Sequence, residues 1–241
     1  MRWNSAALRL LATAALICGL GGGAWGQTTT VVPPATPAQI EKPVLILIDA
    51  AHGGSDPGAR LTPSVSEKEV TLAVARRLRE ELTSRGILCQ LIRDNDSTLS
   101  ADQRAALANA TGPALYIALH ASSLGSGVRV FVAMLPAGGD DRGAFLNWDT
   151  AQAVTLARSR VIQGLVVAAV QKTRFPTRAL SAPLRPLNNL KSPALAIEIS
   201  PTTGDASQVA SAGYQQMICA AVANAIASIA PSLRAGMGNH P

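Results

Sequence analysis

The chain has 241 residues, 48% of them hydrophobic, and a formal net charge of +6. That apolar content fills one full-sized core with extensions, and no second domain is visible. Aromatic residues make up only 3% of the chain, and the basic residues are scattered through helical segments instead of forming a stripe, which argues against nucleic acid as a partner. The positive charge fits an anionic polymer or surface, or a solvated face with no dedicated partner.

Residues 1–26 read as a secretory signal. Arg2 and Arg9 form the charged end, LLATAALICGL the apolar stretch, and Ala24-Trp25-Gly26 the small residues of a cleavage site before Gln27. The apolar stretch is short for a membrane-spanning helix, and Ile17 before Cys18 stands where a lipid-modification site needs a small residue. The mature protein is therefore expected to be exported, to the periplasm or the extracellular cell wall, without a transmembrane segment. Residues 27–42, rich in Thr and Pro, read as a linker, and the fold is expected to occupy 43–230, with a disordered tail at 231–241.

From Pro43 onward short apolar runs alternate with helical patterns: strand 44–49, helix 67–85, strand 87–93, helix 100–110, strands 114–120 and 128–135, helix 150–172, strand 194–199 and helix 207–229. Alternation of this kind predicts an α/β fold, a mainly parallel sheet with helices on both faces. Ser66 is placed to cap the first helix with Glu69 completing a capping box, and Gly86 to end it. Glu67 is then spare at the first helical position, either as a carboxylate against the helix dipole or as a ligand.

The chain has three histidines. His52 ends the apolar run VLILIDAAHGG and His120 ends ALYIALHAS, whereas His240 lies in the tail. Ligands gather at the carboxyl ends of strands in open parallel sheets, and His52, His120 and Glu67 can converge on one such edge. Two imidazoles, one carboxylate and an open fourth position form a recognised zinc set, and Gly53 and Gly54 suit a tight turn beside it. Glu198, in PALAIEIS, is a carboxylate in an apolar strand and needs a reason to be there. It either pairs with Arg178 or Arg185 or is aimed into the site to handle protons; the second reading is preferred. Cys89 and Cys219 permit one disulfide in an oxidising compartment, or remain two small buried hydrophobes.

VLILIDAAHGGSDPGA, SEKEVTLAVARRL, GILCQLIRD, ALYIALHASS, PALAIEIS and GYQQMICAAVANAIASI resemble, in order and spacing, the zinc-dependent N-acetylmuramoyl-L-alanine amidases of cell-division and sporulation hydrolases. The resemblance runs from about residue 43 to about residue 230. It implies a single three-layer α/β/α sandwich, one zinc ion on His52, Glu67 and His120, and a catalytic glutamate at Glu198. It also implies the substrate, the peptidoglycan amide between N-acetylmuramic acid and L-alanine, cut for wall remodelling or cell separation. The pattern departs from the family at Asp49-Ala50-Ala51, where Asp-Pro-Gly is usual, and after Glu198, where Ile199-Ser200-Pro201-Thr202 replaces Gly-Phe and a Ser-Asn or Thr-Asn pair. A peptidoglycan-binding protein with impaired catalysis and a zinc peptidase acting on another amide are the alternatives. Some division amidases carry an inserted helix that blocks the site until an activator binds. Here PAGGDDRGAFLNWD is too short for one, so a monomer active without an activator is expected.

Overall fold

The computed structural model describes residues 43–135 and 148–235. The signal, the linker and most of the segment weighed for a blocking helix lie outside the described residues. A six-stranded sheet holds β1 (Leu45–Ala50), β4 (Leu88–Leu91), β5 (Leu115–Ala121), β6 (Gly127–Ala133), β7 (Thr177–Ala182) and β8 (Ala194–Ser200) in the order β4-β1-β5-β8-β6-β7. All neighbours pair in parallel except β6 and β8, so β6 and β7 run against the other four. β2 (Arg60–Thr62) and β3 (Val65–Ser66) form a separate small hairpin.

Ile46, Ile48, Leu115, Ile117, Leu195 and Ile197 bury one face of the sheet against α1 (Glu67–Thr83), α3 (Leu156–Gln171) and α4 (Ala212–Ala235). Leu47, Tyr116, Ala118 and Ala196 bury the other face against α2 (Ala101–Thr111) and the turn of 3₁₀ helix at Leu187–Asn189. The result is the three-layer α/β/α sandwich expected from the alternation. β1, β5 and β8 are apolar almost throughout because both their faces are covered.

Several boundaries differ from those predicted. Residues 150–172 do not form one helix: Trp148–Val154 is 3₁₀, Thr155 leaves helical geometry, and α3 begins at Leu156. The Gln152 amide, buried at that bend, donates to Thr155 Oγ1 at 2.6 Å, Leu190 O at 3.0 Å and Ser192 O at 2.9 Å, which rewards the break. α4 continues through Pro231 to Ala235, into the stretch expected as a disordered tail, and Leu233 is buried there. The length and apolarity of α4 reflect its packing on α1 and α3. At the start of α1 the Glu69 carboxylate accepts from Ser66 N–H at 2.9 Å, as the capping box requires.

Under the carboxyl end of β1 lies a buried polar network. Asp49, 1% exposed, accepts from Arg104 Nη1 and from Tyr116 Oη. Arg104 also donates to Ala50 O at 2.9 Å and to His52 O at 2.7 Å. Arg93 donates to Ala50 O at 2.8 Å, Ala51 O at 3.1 Å and Lys68 O at 2.9 Å, which ties the same turn to α1. Removing one partner of a buried ion pair leaves the other uncompensated, so Arg104→Met is expected to cost about 3–5 kcal/mol. The urea midpoint measures this, and a loss under about 1 kcal/mol would show the pair to be dispensable.

Candidate metal centre

Three segments deliver the candidate ligands. His52 follows β1 in left-handed backbone geometry, φ 63°, and Gly53 N–H···O=C Asp56 at 2.9 Å with the reciprocal Asp56 N–H···O=C Gly53 at 3.1 Å closes the turn behind it. The Asp56 carboxylate lies 2.7 Å from His52 Nδ1, which leaves Nε2 aimed inward at Glu67 Oε2, 3.1 Å away. His120, next to last in β5, has Nδ1 3.0 Å from Glu67 Oε1. Glu67 opens α1 and is fixed by two backbone donors, Ala59 N–H to Oε2 at 3.0 Å and Ala121 N–H to Oε1 at 3.1 Å. One donor atom from each of the three residues lies within 4.8 Å of the others.

Burial raises the Glu67 pKa, but hydrogen bonds from His120, His52 and Ala59 N–H outweigh it and hold the carboxyl well below the usual range. The Glu67 hydrogen bond raises His52 above the ordinary imidazole value against the opposing effect of burial, and Asp56 adds to the rise. An ionised carboxylate between two imidazoles is an anionic pocket that favours a cation. Two nitrogens and one oxygen of this kind fit a divalent metal, with Asp56 as the outer carboxylate that fixes the His52 tautomer.

Glu198 stands directly beside His120 in the β5–β8 pairing and directly opposite Arg129 in the β6–β8 pairing. Its ion-pair partner is Arg129, not Arg178 or Arg185. Arg185 instead binds Asp149 at 3.0 Å. Burial raises the Glu198 pKa, and the Glu67 charge adds to the effect, against the lowering influence of Arg129 and His120. Arg129 is the site residue that sequence reasoning missed. Its signal is a lone charge in the alternating run GVRVFVA, and only the reversed direction of β6 brings that charge to Glu198. Arg129 also donates to Leu124 O at 3.1 Å and Ser200 Oγ at 3.3 Å, so the segment that departs from the family pattern supplies a brace for it. Cys89 and Cys219 are both free; burial pushes each thiol up to about 12, so neither carries thiolate chemistry.

Gly58 lines the pocket in left-handed geometry, φ 68°, and a Cβ there would meet His52 Cδ2 at 2.7 Å and Glu67 Oε2 at 2.8 Å. Gly58→Ala is therefore expected to weaken metal affinity by about 10–100-fold, the range for disturbed support of a ligand. Competition against a chromophoric chelator measures it; wild-type affinity in the variant would show that the ligands are not so confined.

The profile of the N-acetylmuramoyl-L-alanine amidase family matches residues 46–228. Among curated proteins the chain is 30% identical over 116 residues to YqiI of Bacillus subtilis, covering 48% of this chain and 52% of that protein. It is 39% identical over 84 residues to the sporulation-specific N-acetylmuramoyl-L-alanine amidase of the same organism, covering 34% of this chain and 32% of that one. The matched regions thus span about half or less of these relatives' own length. Among solved structures, the Mycobacterium smegmatis N-acetylmuramyl-L-alanine amidase Ami1 superposes with TM-score 0.63 at 20% identity, covering 78% of this chain and 97% of that one. A Clostridium difficile N-acetylmuramoyl-L-alanine amidase gives 0.59 at 21% identity, covering 79% and 98%; at such identities the likeness speaks for the fold. With the profile covering the domain from β1 to the body of α4, the chain belongs to the N-acetylmuramoyl-L-alanine amidase family.

Proposed function

We propose that this protein is a zinc-dependent peptidoglycan amidase that hydrolyses the bond between the lactyl group of N-acetylmuramic acid and L-alanine. The observation that carries the reading is the placement of Glu198 beside His120, next to the His52–Glu67–His120 cluster. A proton-handling carboxylate thus adjoins a three-ligand centre. Zinc held by those three residues would polarise the scissile carbonyl and lower the pKa of the attacking water. The Glu198 carboxylate takes that water's proton and delivers it to the nitrogen of the departing alanine, a transfer favoured by a carboxyl pKa raised through burial. Arg129 holds the carboxylate in place across the strand pair.

The same reading makes residues 1–26 an export signal and 27–42 a linker, places the enzyme in the periplasm or cell wall, and has it act as a monomer without an activator. The solved structure of an amidase with the same fold, CwlD of Clostridioides difficile, is of its complex with the GerS lipoprotein. Purified mature protein should nevertheless release stem peptides from isolated cell walls unaided; inertness until a partner is added would refute its independence. Mass spectrometry of the digest should find intact lactyl groups and free alanine amino ends, and any other scission would point to a different amide.

Glu198→Gln should retain stoichiometric zinc and lose at least about 100-fold in kcat, the low end for a general acid–base group. Full turnover in that variant would remove Glu198 from the mechanism. Because hydrogen bonding to Glu67 raises the His52 pKa, protons compete with the metal from above the ordinary imidazole value downward. Apparent zinc affinity should therefore fall on acidification through neutrality, and a flat titration between pH 8 and pH 5 would contradict this.

A further inference from the structure

Four polar residues form a continuous row across the sheet. His120 of β5 pairs with Glu198 of β8, Glu198 with Arg129 of β6, and Arg129 with Arg178 of β7. Register partners share a sheet face, so the row lies on the α2 side, and it reaches solvent: Glu198 is 23% and Arg129 29% exposed, and Arg178 is exposed. The next row towards the sheet centre on the same face is Ala118, Ala196, Phe131 and Leu180, with Phe131 half-buried and Leu180 38% exposed. Ala118 and Ala196 are each 1% exposed beneath the 3₁₀ turn, so the open apolar floor is the outer pair Phe131 and Leu180, and a shelf rimmed by the charged row leads outward from Glu198 to the edge strand.

The rim is unbalanced. Arg129 and Arg178 are directly opposed like charges, an arrangement that destabilises a sheet, and Glu198 neutralises only the first. Among the described residues Arg178 has no acidic partner, although planar guanidinium suits bidentate carboxylate recognition. Strands lie about 4.8 Å apart, so Arg178 stems from about 10 Å beyond Glu198. A substrate lying outward from Glu198 would bring an anionic group one residue past the scissile bond within reach of this side chain.

On the strength of the proposed amidase reaction, we propose that the peptide side of the substrate lies on this shelf and that Arg178 recognises the α-carboxylate of the stem peptide's second, γ-linked glutamate. Arg178 then determines specificity between stem peptides in which that carboxylate is free and those in which it is amidated.

The test compares zinc-loaded wild type and Arg178→Ala on N-acetylmuramoyl dipeptides that differ only in whether this group is acid or amide. The wild type should show a KM about fivefold lower for the acid, the scale of one exposed charge pair. Arg178→Ala should raise KM for the acid about fivefold, leave kcat unchanged and leave the amide unaffected, while Arg178→Lys should recover part of the preference. An unchanged acid preference in Arg178→Ala, or an equal loss on both dipeptides, would overturn the assignment. Calorimetric binding to zinc-loaded Glu198→Gln, with and without Arg178→Ala, separates the shelf from the reaction. If the wild type cleaves neither dipeptide yet binding still favours the acid through Arg178, the shelf stands and the reaction falls. Cleavage of both without preference, with equal binding, leaves the reaction and removes the shelf.

Discussion

The Glu67 carboxylate is the tie on which the site depends. Four donors converge on its two oxygens: the imidazoles of His52 and His120 and the backbone N–H groups of Ala59 and Ala121. They come from the turn after β1, the loop before β2 and the end of β5, so one side chain gathers three separate segments. Its position at the first residue of α1 adds the favourable field of a helix N-terminus to the same charge. Of the two readings weighed for Glu67 in the sequence, the helix-dipole partner is met by its position, and the proposed ligand role would draw on the same carboxylate.

Beneath that tie, the rigidity of the His52 turn comes from buried guanidinium groups. A non-glycine residue at positive φ is uncommon and needs surrounding structure to hold it. Arg104 and Arg93 supply it by donating to three consecutive carbonyls, Ala50, Ala51 and His52, with Asp49 neutralising Arg104 from below and itself accepting from the Tyr116 hydroxyl. The family's usual proline and glycine ahead of the first histidine would stiffen this turn through the backbone. Here two alanines occupy those positions and side chains from β4's end and α2 hold the turn.

The parts of the molecule legible in the sequence are those with a local signal. β1, β5 and β8 announce themselves as apolar runs because both their faces are covered, and His52 and His120 stand out by ending two of them. Glu67 was legible because the capping box accounts for Ser66 and Glu69 and leaves it over. Other features have no such signal. β7 reads TRALSA between two prolines; it is an exposed edge strand without an apolar run, so nothing marks it. The Asp49–Arg104 and Glu198–Arg129 pairs depend on α2 packing under β1 and on the reversed direction of β6, and neither is encoded in spacing along the chain. Arg178 and Arg185 were reasonable partners for Glu198 by charge alone, and register decided against both.

The last strand in chain order, β8, is not added at an edge but lies in the interior of the sheet, between β5 and β6. Until the chain has been synthesised through Ser200 and that strand has threaded between its neighbours, β5 and β6 have no partner in common, and Glu198 has no His120 beside it. Long-range pairing of this kind closes late and cooperatively. A partly made polypeptide consequently holds the His52–Glu67–His120 cluster at most, never Glu198 beside it. On the proposed amidase reading, the topology itself would keep an incompletely folded chain inactive.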